Sequence, residues 1–172
     1  MDAQTITLPK TQTKIYYYSL IAVSFLIPLL ISGPQLLTGS VVNAFLFLTV
    51  YFFEKKQTLP IIMLPSIGAV LNGLVFGTFT PFLLYFLPFI WMGNYILSFV
   101  FAKMHKKSSI ISSVFISSLC KALFLFLIAN IYVGVQVVPS IFLKAMGLFQ
   151  LGTALIGGAL AFIIYKSISK KI

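Results

Sequence analysis

Acidic residues are almost missing from this chain. Only Asp2 and Glu54 are acidic among 172 residues, and neither lies within a long apolar run. A carrier driven by protons or sodium usually needs a carboxylate at membrane depth, as a proton relay or as a cation ligand. Self-powered secondary transport is therefore not expected.

Histidine and cysteine are equally scarce, since His105 and Cys120 each occur once. With two carboxylates, they cannot form a metal-binding cluster or a Ser-His-Asp arrangement. One cysteine excludes an intramolecular disulfide. The Gly-x-x-x-x-Gly-Lys-Ser/Thr motif that binds nucleotide phosphates is missing too. We therefore expect no enzyme activity, no metal and no cofactor.

Apolar side chains dominate the chain instead. It is 60% hydrophobic and only 8% charged, with a mean hydropathy of +1.08, whereas about 25% of a typical soluble domain is charged. This composition predicts an all-α membrane protein with a single transmembrane domain over residues 15–165. Residues 1–14 would form a polar cytoplasmic tail leading into a retained first helix, and residues 166–172 a basic cytoplasmic tail.

The pattern of apolar runs predicts about six transmembrane helices. Turn residues or charges separate runs at 15–31, 36–53, 58–76, 82–102, 110–133 and 141–165. The third run contains Pro60, Pro65, Gly68, Asn72 and Gly73. Because proline and glycine interrupt helices, whether this third segment crosses completely is left open.

All twelve basic residues are lysines, and ten of them fall on one side of the predicted bundle: Lys10, Lys14, Lys55, Lys56, Lys103, Lys106, Lys107, Lys166, Lys170 and Lys171. Lysine-rich connections are cytoplasmic by the positive-inside rule. We therefore predict that both termini are cytoplasmic (N-in/C-in) in the cell (plasma) membrane. These lysines would meet anionic lipid headgroups of the bilayer, and no nucleic-acid partner is expected.

Lys121 is the one lysine at the middle of a predicted span, on the same helical face as Ser113 and Ser117. A lysine at the bilayer centre costs about 2.5–3.5 kcal/mol on insertion scales, and no acid in the spans could offset this cost. It either faces a wet cavity or meets an anion. The alternative is that its ammonium snorkels to an interface.

Other polar side chains are predicted at membrane depth or near its outer face: Gln35, Asn43, Asn72, Asn94, Asn130, Gln136, Lys144 and Gln150. Each could form hydrogen bonds that hold neighbouring helices together. Alternatively, several could line a binding pocket. Trp91 lies one turn from Asn94, and the pair could stack against and hydrogen-bond a planar ligand.

Small residues recur at helical spacing in three places. Ala69, Gly73 and Gly77 do so on the third span; the other two stripes are Gly147, Ala154, Gly157, Gly158 and Ala161 on the sixth, and Ser109, Ser113 and Ser117 on the fifth. Such stripes allow helices to approach closely. They indicate either internal packing or a docking face for another membrane subunit.

The small size, six spans and cytoplasmic ends resemble the S component, the substrate-binding membrane subunit, of energy-coupling factor (ECF) transporters. The resemblance implies capture of a vitamin-like micronutrient from outside. It also implies a membrane scaffold and two ATPase subunits as partners, which fits the missing nucleotide motif. Ligand contacts would come from Gln35, Trp91, Asn94, Lys121, Asn130, Lys144 and Gln150.

Within this resemblance, Ala69, Gly73 and Gly77 would provide the partner-docking face. Lys121 and Lys144 favour a substrate that carries a carboxylate or a phosphate. The alternative function is a non-transporting scaffold or assembly factor of a cell-envelope complex. In that case the small-residue stripes would be partner faces, and the buried amides would only join helices.

Overall fold

A computed structural model of the protein describes residues 10–31, 34–53, 55–74 and 77–169. Within these ranges the regular secondary structure is entirely helical. The helices are α1 (Lys10–Leu30), α2 (Gln35–Phe52), α3 (Leu59–Asn72), α4 (Leu83–Met104), α5 (Ile110–Gly134), α6 (Ile141–Met146) and α7 (Leu148–Ser169). Short 3-10 turns, Lys55–Thr58 and Gly77–Phe82, precede α3 and α4.

The all-helical class is confirmed. Five segments are long and apolar enough to cross a membrane: α1, α2, α4 with its preceding turn, α5, and α6 together with α7. Their limits lie within a few residues of five predicted spans, apart from the earlier start of α1. The apolar runs therefore predicted the positions of these five long helical segments correctly.

The third predicted span is shorter than expected. α3 has 14 residues, which at about 1.5 Å per residue is roughly 21 Å, against about 30 Å for a bilayer core. The helix ends because Gly73 adopts a left-handed conformation with φ of 75°. Ala69 lies in α3 but Gly73 and Gly77 lie beyond it. The prediction of one helical stripe through these three residues was wrong.

The sixth predicted span is divided in two. α6 and α7 meet at Gly147, where φ is −100° and ψ is −94°. A Cβ atom at this position would lie 2.8 Å from both the Leu143 carbonyl oxygen and the Phe126 ring. Only glycine fits this close approach without displacing a neighbour, and α6 contacts both α5 and α7.

The helices pack in a ring in which α2 contacts α7 most extensively, α1 contacts mainly α3, and α4 contacts α5. The small residues Ala154, Gly157, Gly158 and Ala161 of α7 are all buried. Gly157 lies against α2 and Gly158 against α5. Internal packing is therefore the correct interpretation of this stripe.

Two apolar clusters fill the bundle, one in each half. The first includes Phe47, Leu97 and Phe101, and the second includes Phe86 and Phe142. Along α4, residue 94 lies between Phe86 of the second cluster and Leu97 of the first. The boundary between the clusters is where the polar side chains collect.

Substituting Gly157 tests the contact between α2 and α7. A Cβ atom at Gly157 would lie 2.7 Å from the Asn43 Cβ and from the Ser40 carbonyl oxygen, whereas one at Gly152 meets nothing within 4 Å. Gly157→Ala is expected to destabilise the protein by about 1–3 kcal/mol through overpacking. Gly152→Ala, in the same helix, should be neutral or stabilise it by about 0.5–1 kcal/mol. Thermal unfolding in mild detergent compares the two, and equal behaviour would contradict this packing.

Candidate functional site

Lys121 is buried at the centre of the bundle, with only 2% of its surface exposed. Its Nζ donates hydrogen bonds to Asn43 Oδ1 and Asn94 Oδ1, each at 2.7 Å. The side chain therefore does not reach an interface, and the snorkelling alternative was wrong. Two helices other than its own supply its partners, since Asn43 belongs to α2 and Asn94 to α4.

Both asparagines are held in one orientation by the bonds that their amide nitrogens donate. Asn43 Nδ2 donates to the Gly39 carbonyl at 2.9 Å and to Thr153 Oγ1 at 3.1 Å. Asn94 Nδ2 donates to the Ile62 carbonyl at 2.9 Å. Because carbonyl oxygens only accept hydrogen bonds, these contacts direct each amide oxygen towards the ammonium. The site thus joins α2, α3, α4, α5 and α7.

The three central residues lie near the midpoints of their helices. Asn43 is ninth of 18 residues in α2, Asn94 is twelfth of 22 in α4, and Lys121 is twelfth of 25 in α5. A helix of this length approximates the thickness of the hydrocarbon core. The ammonium is therefore as far from either end of the bundle as its helices allow.

No carboxylate accompanies this charge among the described residues, because Asp2 and Glu54 both lie outside them. An ammonium has three donors, and Lys121 uses two of them for the asparagines. Its third donor has no acceptor in the described part of the chain. A buried charge without a counter-ion is strongly unfavourable, so the site is suited to accepting an anionic group.

A cavity of about 90 Å³ adjoins the lysine. It extends towards the end of the bundle where α2 begins and α6 lies. Since a water molecule occupies about 30 Å³ in the liquid, the space suits a few waters or a very small ligand. The polar residues that line it are Gln35, Thr38, Asn43, Ser66, Asn94, Lys121 and Gln150.

Thr38 is the second unsatisfied polar group at this cavity. It is 5% exposed, and its Oγ1 has no hydrogen-bond partner in the described chain. A hydroxyl can donate one hydrogen bond and accept others. Thr38 and the free donor of Lys121 therefore each offer a hydrogen bond to an occupant of the cavity.

Four predicted site residues line the cavity: Gln35, Asn94, Lys121 and Gln150. Gln35 also donates from Nε2 to the Ala145 carbonyl at 3.0 Å, which ties the start of α2 to α6. Trp91 does not line the cavity. Its Nε1 donates to Ser66 Oγ at 2.7 Å, so it joins α4 to α3 and positions a residue that does.

Asn130 and Lys144 are exposed and lie away from the cavity. Asn130 Nδ2 donates to the Phe126 carbonyl of its own helix at 2.8 Å. Nine residues separate it from Lys121, and at about 100° per residue this places the two on opposite sides of α5. This nine-residue spacing is visible in the sequence and could have excluded Asn130 from the predicted ligand-binding residues.

Three hydroxyl residues of the site were not predicted: Thr38, Ser66 and Thr153. Serine and threonine are common in membrane helices, where their hydroxyls bond to their own backbone. Ser66 and Thr153 do so here, to the Met63 and Gln150 carbonyls. Nothing in the sequence distinguishes them from other hydroxyls, and only the helix packing brings them to the site.

Fold and site together define an all-helical protein with several helices long and apolar enough to span a membrane, and with a buried lysine held by two amides near the middle of the bundle. Comparisons with protein-family models, curated proteins and solved structures found no match to this chain. The geometry of the site therefore carries the functional argument.

Proposed function

We propose that this protein is the substrate-capture subunit of an ECF-type importer, and that it binds a small solute carrying a carboxylate or phosphate at Lys121. The observation that carries the proposal is the ammonium itself. It is buried, bonded only to neutral amide oxygens, and has one donor left beside a cavity. An anionic ligand would supply the missing acceptor and the missing countercharge at once.

The proposed orientation places both termini in the cytoplasm and the cavity on the outer side. Lys103, Lys106 and Lys107 lie at the junction of α4 and α5, and Lys166 lies in the last turn of α7. These positions share one end of the bundle, which the positive-inside rule assigns to the cytoplasm. The cavity extends towards the opposite end, so the solute would enter from outside the cell membrane.

A vitamin-sized solute requires the bundle to open. Pockets for drug-sized ligands measure about 300–1,000 Å³, whereas this cavity measures about 90 Å³. Pro28 of α1 and Pro65, Ser66 and Ala69 of α3 form one wall. Because α1 packs mainly against α3, a joint movement of the two helices would enlarge the cavity while Asn43 and Asn94 keep their contacts with the lysine. This movement would break the hydrogen bonds that Trp91 and Asn94 donate to α3.

A separate energy-coupling module is part of the proposal. The chain has no phosphate-binding loop and no acid in its predicted spans, so neither ATP hydrolysis nor ion coupling is expected from it. A membrane scaffold with ATPase subunits would supply the energy. α1 exposes large apolar side chains on its outer surface, among them Val23, Leu26 and Leu30, and this surface could meet either lipid or the scaffold.

Native mass spectrometry of the protein, purified in mild detergent from its own host, tests the proposal. We expect a retained small anion, with or without scaffold and ATPase subunits. Recovery of cell-envelope proteins alone, with no retained small molecule, would contradict ligand capture. That outcome would favour a non-transporting assembly factor, for which the buried amides only join helices.

A further inference from the structure

A second and larger cavity lies at the lysine-rich end of the bundle. Its volume is about 440 Å³, and it is enclosed by the last turns of α2, the start of α3 and the second half of α4. It shares no lining residue with the cavity at Lys121. It falls within the range of small-ligand pockets, about 300–1,000 Å³.

The walls of this cavity are apolar and border on the surroundings of the bundle. Val50, Ile62 and Ala102 line its interior. Leu59 and Tyr95 also line it and are more than half exposed, at 54% and 53%. In a membrane this exposed side faces acyl chains, so an occupant can enter sideways from the bilayer.

One face of α4 changes from aromatic to basic along the cavity. Tyr95 and Phe99 stack with ring centroids 5.7 Å apart, and Lys103 Nζ lies 4.5 Å from the centroid of the Phe99 ring. Residues four apart in a helix share a face. An apolar wall followed by a cation matches an anionic amphiphile, whose apolar tail is followed by a negatively charged headgroup.

The rim carries two further basic groups, His105 and Lys106. His105 Nδ1 is 3.0 Å from the Phe101 carbonyl oxygen, which can only accept a hydrogen bond, so Nδ1 carries the hydrogen. Nε2 is then the acceptor nitrogen of the ring, which suits a headgroup hydroxyl rather than a phosphate oxygen. The ring is fixed by stacking on Phe101 at a centroid distance of 5.2 Å.

Ser98 supplies an unsatisfied hydroxyl deeper in the same cavity. It is 6% exposed, and its Oγ has no hydrogen-bond partner in the described chain. Five residues separate it from Lys103, which in a helix is about 7.5 Å along the axis. The ester carbonyls of a phospholipid lie below its phosphate in the same way, and each can accept a hydrogen bond.

We propose that this cavity binds a membrane phospholipid with an anionic headgroup. The phosphate lies beside Lys103 and Lys106, an ester carbonyl accepts from Ser98, and part of an acyl chain lies along Phe99 and Tyr95. Basic sites between helices on the cytoplasmic side suit such headgroups. This site is separate from Lys121 and does not depend on the function proposed for it.

Lipid titration of the purified full chain in non-ionic detergent, followed by native mass spectrometry, tests this site. Phosphatidylglycerol and phosphatidylcholine are compared as probes. The double variant Lys103→Gln/Lys106→Gln removes two rim charges, and Lys107→Gln/Lys166→Gln removes two charges from the same end but outside the cavity. At roughly fivefold per lysine, the first double variant should bind phosphatidylglycerol about 20- to 30-fold more weakly, and the second should match the wild type.

Ser98→Ala keeps the test valid if the double variant fails to fold. Its hydroxyl has no hydrogen-bond partner among the described residues, so folding should persist while phosphatidylglycerol binds about fivefold more weakly. Equal binding of the two lipids, equal losses in both double variants, or unchanged binding by Ser98→Ala would each overturn the proposal. Displacement of the lipid by millimolar inorganic phosphate would also overturn it, since the site would then recognise a free anion.

Discussion

Replacing both Asn43 and Asn94 with leucine is expected to destabilise the protein by about 3–5 kcal/mol, the range for a buried charge that loses its partners. In the wild type, their amide oxygens are the two acceptors of Lys121. The adjoining cavity gives room for the larger leucine side chains. Denaturant titration in mixed micelles would measure the free energy of unfolding.

Adding Lys121→Met to this double variant supplies the matched control. Without the ammonium there is no unpaired buried charge, so the triple variant should recover most of the wild-type stability. Lys121→Met alone should stay within about 1 kcal/mol of the wild type, because lost hydrogen bonds and lost charge burial offset each other. A triple variant as unstable as the double one would mean that leucine packing, not the unpaired ammonium, caused the change.

Lys121→Met is expected to weaken binding of the anionic solute by roughly 10- to 150-fold, because a desolvated charged hydrogen bond is lost. The solute identified by native mass spectrometry would be the probe, and its affinity would be measured by the ligand-dependent rise in melting temperature. The variant should fold, so the loss would report binding alone.

Lys144→Met is the control for this measurement. Lys144 lies in α6 near the same end of the bundle, but it is exposed and does not line the cavity. The substitution Lys144→Met removes one positive charge outside the site, so the affinity for the solute should change little. An equal loss in both variants would indicate general attraction of anions to a positive protein rather than contact with Lys121.

Much of the fold follows from the sequence because a membrane restricts the choices. Apolar runs of spanning length are expected to form helices, and five of the six predicted runs are present as helical segments long and apolar enough to cross a membrane. The last of these is divided between α6 and α7. The third span was overestimated because its apolar residues continue past Asn72, although the backbone turns at Gly73. Hydropathy describes side chains and does not report backbone conformation. Here the left-handed φ of one glycine ended the helix.

The site was predictable only in part. Lys121 was identified because an unpaired charge at mid-span is energetically exceptional, and Asn94 because amides at that depth need partners. Which amides meet the lysine depends on contacts between helices that are far apart in sequence, such as Asn43 and Lys121. Lys144 was included because it lies near the predicted outer mouth and because the resemblance to S components pointed to it. In the structure it is exposed and does not line the cavity.

The mid-depth position of Lys121 also makes ligand affinity a function of membrane voltage in the proposed orientation. Moving one charge across a membrane at 100 mV changes its energy by about 2.3 kcal/mol, and half that distance gives roughly half the value. An anion that travels from outside to the ammonium moves against an inside-negative potential. Its affinity would therefore fall about sevenfold for each additional 100 mV, and an energised cell would hold the solute less tightly than a depolarised one.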